Sequence, residues 1–114
     1  MKIERFEDII AWQKSKQLAI EIFRIFENSK DFCLRDQIRR ASISVMNNIA
    51  EGFERKSNNE FKQFLFIAKG SCGEVRSMLI LSMELSLIDK DQGKKLFLLS
   101  EEISKIISGL IKTL

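Results

Sequence analysis

Arg40, Ser44, Asn48 and Glu51 recur about one turn apart within QIRRASISVMNNIAEGFERK, Gln37 to Lys56. It is the stretch whose polar residue types and spacing best suit chemistry. At 100° per residue, Gln37, Arg40, Ser44, Asn48, Glu51 and Arg55 form one continuous polar stripe on a helix. A carboxylate could move a proton, a hydroxyl could attack a carbonyl or phosphorus, and a guanidinium could hold an anion. The chain supplies none of the partners these roles need. It has no His and no Tyr, no paired-carboxylate motif, and no evident general base for Ser44. Cys33 and Cys72 lack paired-motif spacing, which without His argues against zinc and haem. The Gly70-Ser-Cys-Gly73 segment matches no phosphate-cradling loop. The expectation is a protein that is not an enzyme, with no cofactor and no metal.

The same stripe also reads as structure. Leu34, Ile38, Ala41, Val45, Ile49 and Gly52 occupy a narrow core face beside it, and Ile43, Met46 and Ala50 a second apolar strip on the far side. A helix with two greasy sides packs on its own interior and on sister copies. Asn48, Glu51 and Gly52 are then structural or interface residues, with Ile43 and Met46. A solvated face and a ligand cleft remain open alternatives for the stripe itself.

Cations supply the second chemical possibility, contact with phosphate. Lys62, Lys69 and Arg76 are spaced by seven and line one flank of a helix, while Arg39, Arg40, Arg55 and Lys56 form another group. These seven are the candidate contacts to RNA or DNA. Asp36 stands four residues before Arg40, and Glu51 four before Arg55, so part of this charge is locally neutralised. The competing reading is that long cationic stems shield the edge of an apolar seam and keep their heads in water. The net charge of +3 and isoelectric point near 9.0 are mild, and no basic arm concentrates them. Nucleic-acid affinity therefore requires folding or assembly to gather the charge.

The elements that must position these residues are helices. In 114 residues there is no Pro and only 5 Gly, hydrophobic content is 45%, and apolar residues recur at helical rather than alternating spacing. A first helix is expected from Glu7 to Asn28, with Trp12, Ala19, Phe23 and Phe26 inward and Ile9, Ile20 and Ile22 widening that face. The second runs from Leu34 to Arg55. Ser57 followed by Glu60 fits a capping box that opens the third, whose buried line runs Phe61, Leu65, Ala68, Cys72, Val75, Leu79, Met83 and Ser86. The fourth starts after Asp89 with Gln92 in the reciprocal position and a seam through Leu96, Leu99, Ile103, Ile106, Leu110 and Leu114. Gly70 sits mid-helix, where glycine costs about 1 kcal/mol relative to alanine, so it marks a close helix–helix approach. Connections of five or six, then two or three, then one to three residues favour antiparallel neighbours. The whole chain, 1–114, is one all-α domain, an antiparallel up-down-up-down four-helix bundle. The run Met78 to Ile88 is too short to span a bilayer, and MKIERFED carries no apolar leader, so no membrane association and a cytoplasmic location are expected.

QIRRASISVMNNIAEG followed at a fixed distance by FLFIAKGSCGEV resembles the signature of a bacterial four-helix-bundle family. Its members include proteins encoded in intervening sequences of 23S ribosomal RNA genes, and a related branch is the accessory variability determinant of diversity-generating retroelements. The resemblance extends from FEDIIAWQKSKQLA through ELSLID. It implies a bundle that assembles into a ring-like homopentamer. In the retroelement branch it also implies nucleic-acid binding through basic surfaces of the ring and association with a reverse transcriptase. The alternative it leaves is an accessory subunit that binds a protein partner with no nucleic-acid role. Gln37, Arg39, Arg40, Ala41, Ser44, Asn48 to Gly52, and Gly70, Ser71 and Glu74 fall on the two motifs. The family often carries a proline where Met46 stands, so a straighter second helix is expected here.

Overall fold

In the computed structural model, which describes residues 2–114, a single 3-10 turn at Phe6–Asp8 leads into four helices. These are α1 (Ile10–Ile25), α2 (Phe32–Phe53), α3 (Asn58–Glu84) and α4 (Lys90–Lys112), with no strand among the described residues. Each helix packs on its neighbour in sequence and α1 also packs on α4, while neither diagonal pair touches. The four therefore stand at the corners of a closed bundle, 43 Å long and about half as wide. Met46 lies inside α2, which runs unbroken from end to end.

Side chains fix where the helices begin. Asp31, Ser57 and Asp89 each accept a hydrogen bond from the backbone N–H three residues on, of Leu34, Glu60 and Gln92. The Ser57 hydroxyl also donates to Glu60 Oε2 at 3.2 Å, which ties the first turn of α3. α1 has no such cap and starts later than expected. Its first turn is braced by Gln13 Nε2 donating to the Glu7 carbonyl at 2.9 Å and by the Phe6 ring standing edge-on to Trp12.

Three sequence expectations need correction. The inward face of α1 is Ala11, Ser15, Leu18, Ala19 and Ile22, while Ile20 and Phe23 are 42% and 38% exposed. Small residues at 11, 15 and 19 share the inward face with Leu18 and Ile22, while Phe23 is left partly outside. Ser86 lies outside α3 altogether. With φ at 56° it turns the chain: Ser86 N–H donates to the Met83 carbonyl and Leu87 N–H to that of Ser82. This double bond pattern ends a helix through a left-handed residue, usually glycine. The connections over residues 54–57 and 85–89 are correspondingly longer than expected. Gly70, third, makes no close approach within the chain, since a Cβ built there meets nothing within 4 Å.

The core is mostly aliphatic, with Leu18, Ile22, Ile38, Ile49, Leu65, Leu79, Ile103 and Ile107 fully enclosed together with the Phe26 ring. Six serines are buried among them. Ser15, Ser42 and Ser82 donate to carbonyls one turn back, so their hydroxyls need no partner across the core.

Candidate functional site

The polar stripe of α2 meets α3 along the tightest seam in the bundle. At Gly52 an added Cβ would stand 2.6 Å from Phe64 Cβ and 3.0 Å from Phe61 Cδ1, so only glycine admits this approach. About two turns nearer the N-terminus of α2, Ser44 Oγ and Ser71 Oγ are 2.9 Å apart. Asn48 Nδ2 donates to the Ser44 carbonyl at 2.8 Å and to Ser44 Oγ at 3.0 Å. Ser44, Asn48 and Ser71 thus form a half-buried network that pins α2 to α3 in one register, and among the described residues neither hydroxyl is hydrogen-bonded to a carboxylate or an amine.

The stripe splits on either side of that network. Gln37, Arg40, Ala41, Ser44 and Glu74 line an open groove of about 250 Å³, smaller than ordinary ligand sites. Arg40 and Glu74 share it without forming an ion pair, among the described residues. Glu51 faces solvent, paired to Arg55 at 2.8 Å. The expected continuous arrangement is therefore a compact seam network between two exposed ends. Among the described residues no group of three or more metal-ligating side chains comes together. No helix is long and apolar enough to cross a membrane.

The seven candidate phosphate contacts do not form one surface. Arg39 lies on the α1 side of α2, donating to the Phe23 carbonyl at 3.1 Å and stacking over the Phe23 ring at 4.6 Å, with its Nε buried and unpartnered. Arg76 points to α4, where it donates to the Ser100 carbonyl and hydroxyl at 3.3 and 3.2 Å. Arg55 is held by Glu51 and by the face of Phe64. These three guanidiniums are engaged inside the chain. Arg40, Lys56, Lys62 and Lys69 have neither a carboxylate within 4.0 Å nor a side-chain hydrogen bond, among the described residues. Arg55 and Lys56 also border a recess of about 350 Å³ at the bundle end, with Lys2 and Asn58.

Cys72 is enclosed between α3 and α4, where Ser100 Oγ donates to its carbonyl. Burial pushes its thiol up to about 11, against smaller opposing effects of the Arg76 guanidinium and Ser100. Cys33, by contrast, is exposed.

What the sequence reading missed is apolar. Ile20 and Phe23 on α1 stand in the open beside Met46 on α2, and Ile80, Met83, Phe97 and Leu98 line a second apolar groove between α3 and α4. Phe66, Ile67 and Leu81 project from the outward side of α3. Hydrophobic periodicity assigned the α1 residues to the core because their size outweighed their slightly different angle.

The fold and its seam define a small helical bundle with an internally bonded α2–α3 interface and uncovered apolar faces. The family model for the 23S rRNA-intervening sequence protein matches residues 7–109, and the chain belongs to that family. A crystal structure of a protein of unknown function from the S23 ribosomal protein family of Bacteroides thetaiotaomicron is similar throughout. The identity is 27% and the TM-score 0.85, covering 90% of this chain and 99% of that one. A search of curated proteins finds no match.

Proposed function

We propose that the chain is a non-enzymatic helical scaffold that assembles from several copies, five being the favoured number, into a ring whose basic surfaces bind RNA or DNA. The observation that carries this reading is the uncovered apolar surface. Twelve large apolar side chains are exposed among the described residues, and seven of them fall on three faces: Ile20 and Phe23 on the α1–α2 groove, Phe66, Ile67 and Leu81 on the outward side of α3, and Ile80 and Leu98 on the α3–α4 groove. Contiguous patches of this kind mark association surfaces. Assembly would also multiply a charge of +3 per chain into a continuous field, which the unpaired Arg40, Lys56, Lys62 and Lys69 would carry to phosphate. The family's name links its members to 23S rRNA intervening sequences, which makes structured RNA the first probe.

A second reading has its own support. The groove of Ile80, Met83, Phe97 and Leu98 is almost purely apolar and suits a protein partner, as an accessory subunit would need. Native mass spectrometry and fluorescence anisotropy separate the two. Oligomers with salt-sensitive binding to RNA or DNA support the scaffold reading. Oligomers that bind no single-stranded, duplex or structured nucleic acid at low salt remove its nucleic-acid half and favour the accessory role.

A further inference from the structure

Two uncovered faces of this chain are complementary in charge, one a groove and the other a ridge. One is the groove between α1 and α2. Lys16, Ala19, Ile20, Phe23, Arg24 and Met46 line it, with about 450 Å³ of open space and no carboxylate among them. Lys16 lies over the Trp12 ring and forms no ion pair among the described residues. Arg24 pairs only with Glu21, at the exposed surface, where such a bond contributes little and is readily exchanged.

The other face is the outward ridge of α3. Ile67, Gly70, Glu74, Ser77, Leu81 and Glu84 fall within about 100° of arc at helical spacing, and every one is exposed. The ridge carries two carboxylates and no cation, because Lys62, Lys69 and Arg76 project from the α4 flank. Gly70 leaves a dip in it that nothing in the chain fills. A mid-helix glycine open to solvent costs about 1 kcal/mol relative to alanine without any packing return inside the chain. A neighbour's side chain entering the dip would supply that return.

We infer that copies join head to tail, the acidic α3 ridge of one seated in the cationic α1–α2 groove of the next. This inference rests on the assembly reading above and names its contact. Groove and ridge share no residue, so a ridge-in-groove contact joins two different surfaces, and repeated from copy to copy it builds a closed ring or a filament. The α3–α4 groove is a poorer seat for the ridge. It is rimmed by Lys94 alone and would set two α3 helices, both carrying Glu74 and Glu84, side by side.

The experiment uses the full chain and four variants, each confirmed folded by circular dichroism and sized by native mass spectrometry. Glu74→Lys/Glu84→Lys reverses the ridge, Lys16→Glu/Arg24→Glu reverses the groove, and the quadruple variant reverses both. Gly70→Leu fills the dip, where open space leaves the fold intact. Each double variant and Gly70→Leu are expected to run as monomers, with assembly weakened at least about tenfold. The quadruple variant is expected to reassemble, because its charges are exchanged but still complementary. Oligomers that survive either double variant, or a quadruple variant that stays monomeric, overturn this contact while leaving assembly itself standing. A wild-type chain that is only ever monomeric overturns the assembly reading and the contact with it.

Discussion

Gly52, Gly93 and Gly109 all sit inside helices, so glycine-to-alanine substitution should help each by the same intrinsic amount, about 0.8–1 kcal/mol. The structure predicts three different outcomes. At Gly52 the new methyl meets Phe64 Cβ at 2.6 Å, an atom rooted in the α3 backbone that no rotamer change can move. Ordinary carbon contacts are about 3.5–4.0 Å, so α2 and α3 must part by about 1 Å. Overpacking of that kind costs about 1–3 kcal/mol, and after the helical gain Gly52→Ala should lose up to about 2 kcal/mol net. That corresponds to a melting temperature lower by up to roughly 10 °C. At Gly93 the obstacle is Met83, with Sδ at 2.7 Å and Cγ at 2.8 Å, and this flexible chain can swing aside. Gly93→Ala should therefore stay close to wild type. At Gly109 nothing lies within 4 Å, and Gly109→Ala should gain up to about 1 kcal/mol. Thermal melts and urea titrations at one fixed protein concentration measure all three, since assembly makes the midpoint concentration-dependent. If Gly52→Ala is as stable as Gly109→Ala, the close α2–α3 approach does not exist and the register argument goes with it.

Other substitutions probe the remaining features. Ser86 holds a left-handed conformation (φ 56°), so Ser86→Gly should raise stability by roughly 0.5–1 kcal/mol, measured by urea unfolding. Asn48→Ala removes both bonds to Ser44 and should cost about 1 kcal/mol by the same method, with assembly retained. The raised Cys72 thiol and the open Cys33 predict that a maleimide at pH 8 labels one cysteine in the native protein and two in denaturant. Stability linked to Cys72 is present below its unfolded pKa and is lost as pH rises through about 11, because only the unfolded chain ionises it freely. Arg76→Gln should cost about 1–2 kcal/mol of stability through its lost bonds to Ser100, yet leave nucleic-acid affinity nearly unchanged. Lys62→Gln/Lys69→Gln should do the reverse, shifting the salt dependence of anisotropy titrations by roughly one unit of slope per lost phosphate contact.

Much of the architecture can be read from residue pattern because helical periodicity and capping act locally. Ser57 with Glu60 and Asp89 with Gln92 announce two helix starts, and the core face of α2 is legible except for the buried Ser42. Asp31 was passed over because the polar run Asn28 to Asp31 looks like a loop, and only the fold shows which member caps α2. The inward row of α1 escaped for a different reason. Ala11 and Ser15 carry little hydrophobic weight, yet they lie inside and Phe23 is left partly outside. The seam network was half visible. Ser44 and Asn48 stand one turn apart on α2, but their partner Ser71 lies 27 residues beyond Ser44, in a segment read for its glycines and its motif and not for a bond to α2. Cations were the least readable, since spacing gives a flank and says nothing of what a guanidinium meets there. Arg39 meets the Phe23 carbonyl and Arg76 meets Ser100, both supplied by other helices.

Native mass spectrometry of the unmodified chain, over the micromolar range, bears most directly on whether its open apolar faces exist to join copies. The account predicts one dominant closed species, at five times the 13.3 kDa chain mass. A spectrum holding only the 13.3 kDa chain at every concentration would contradict it.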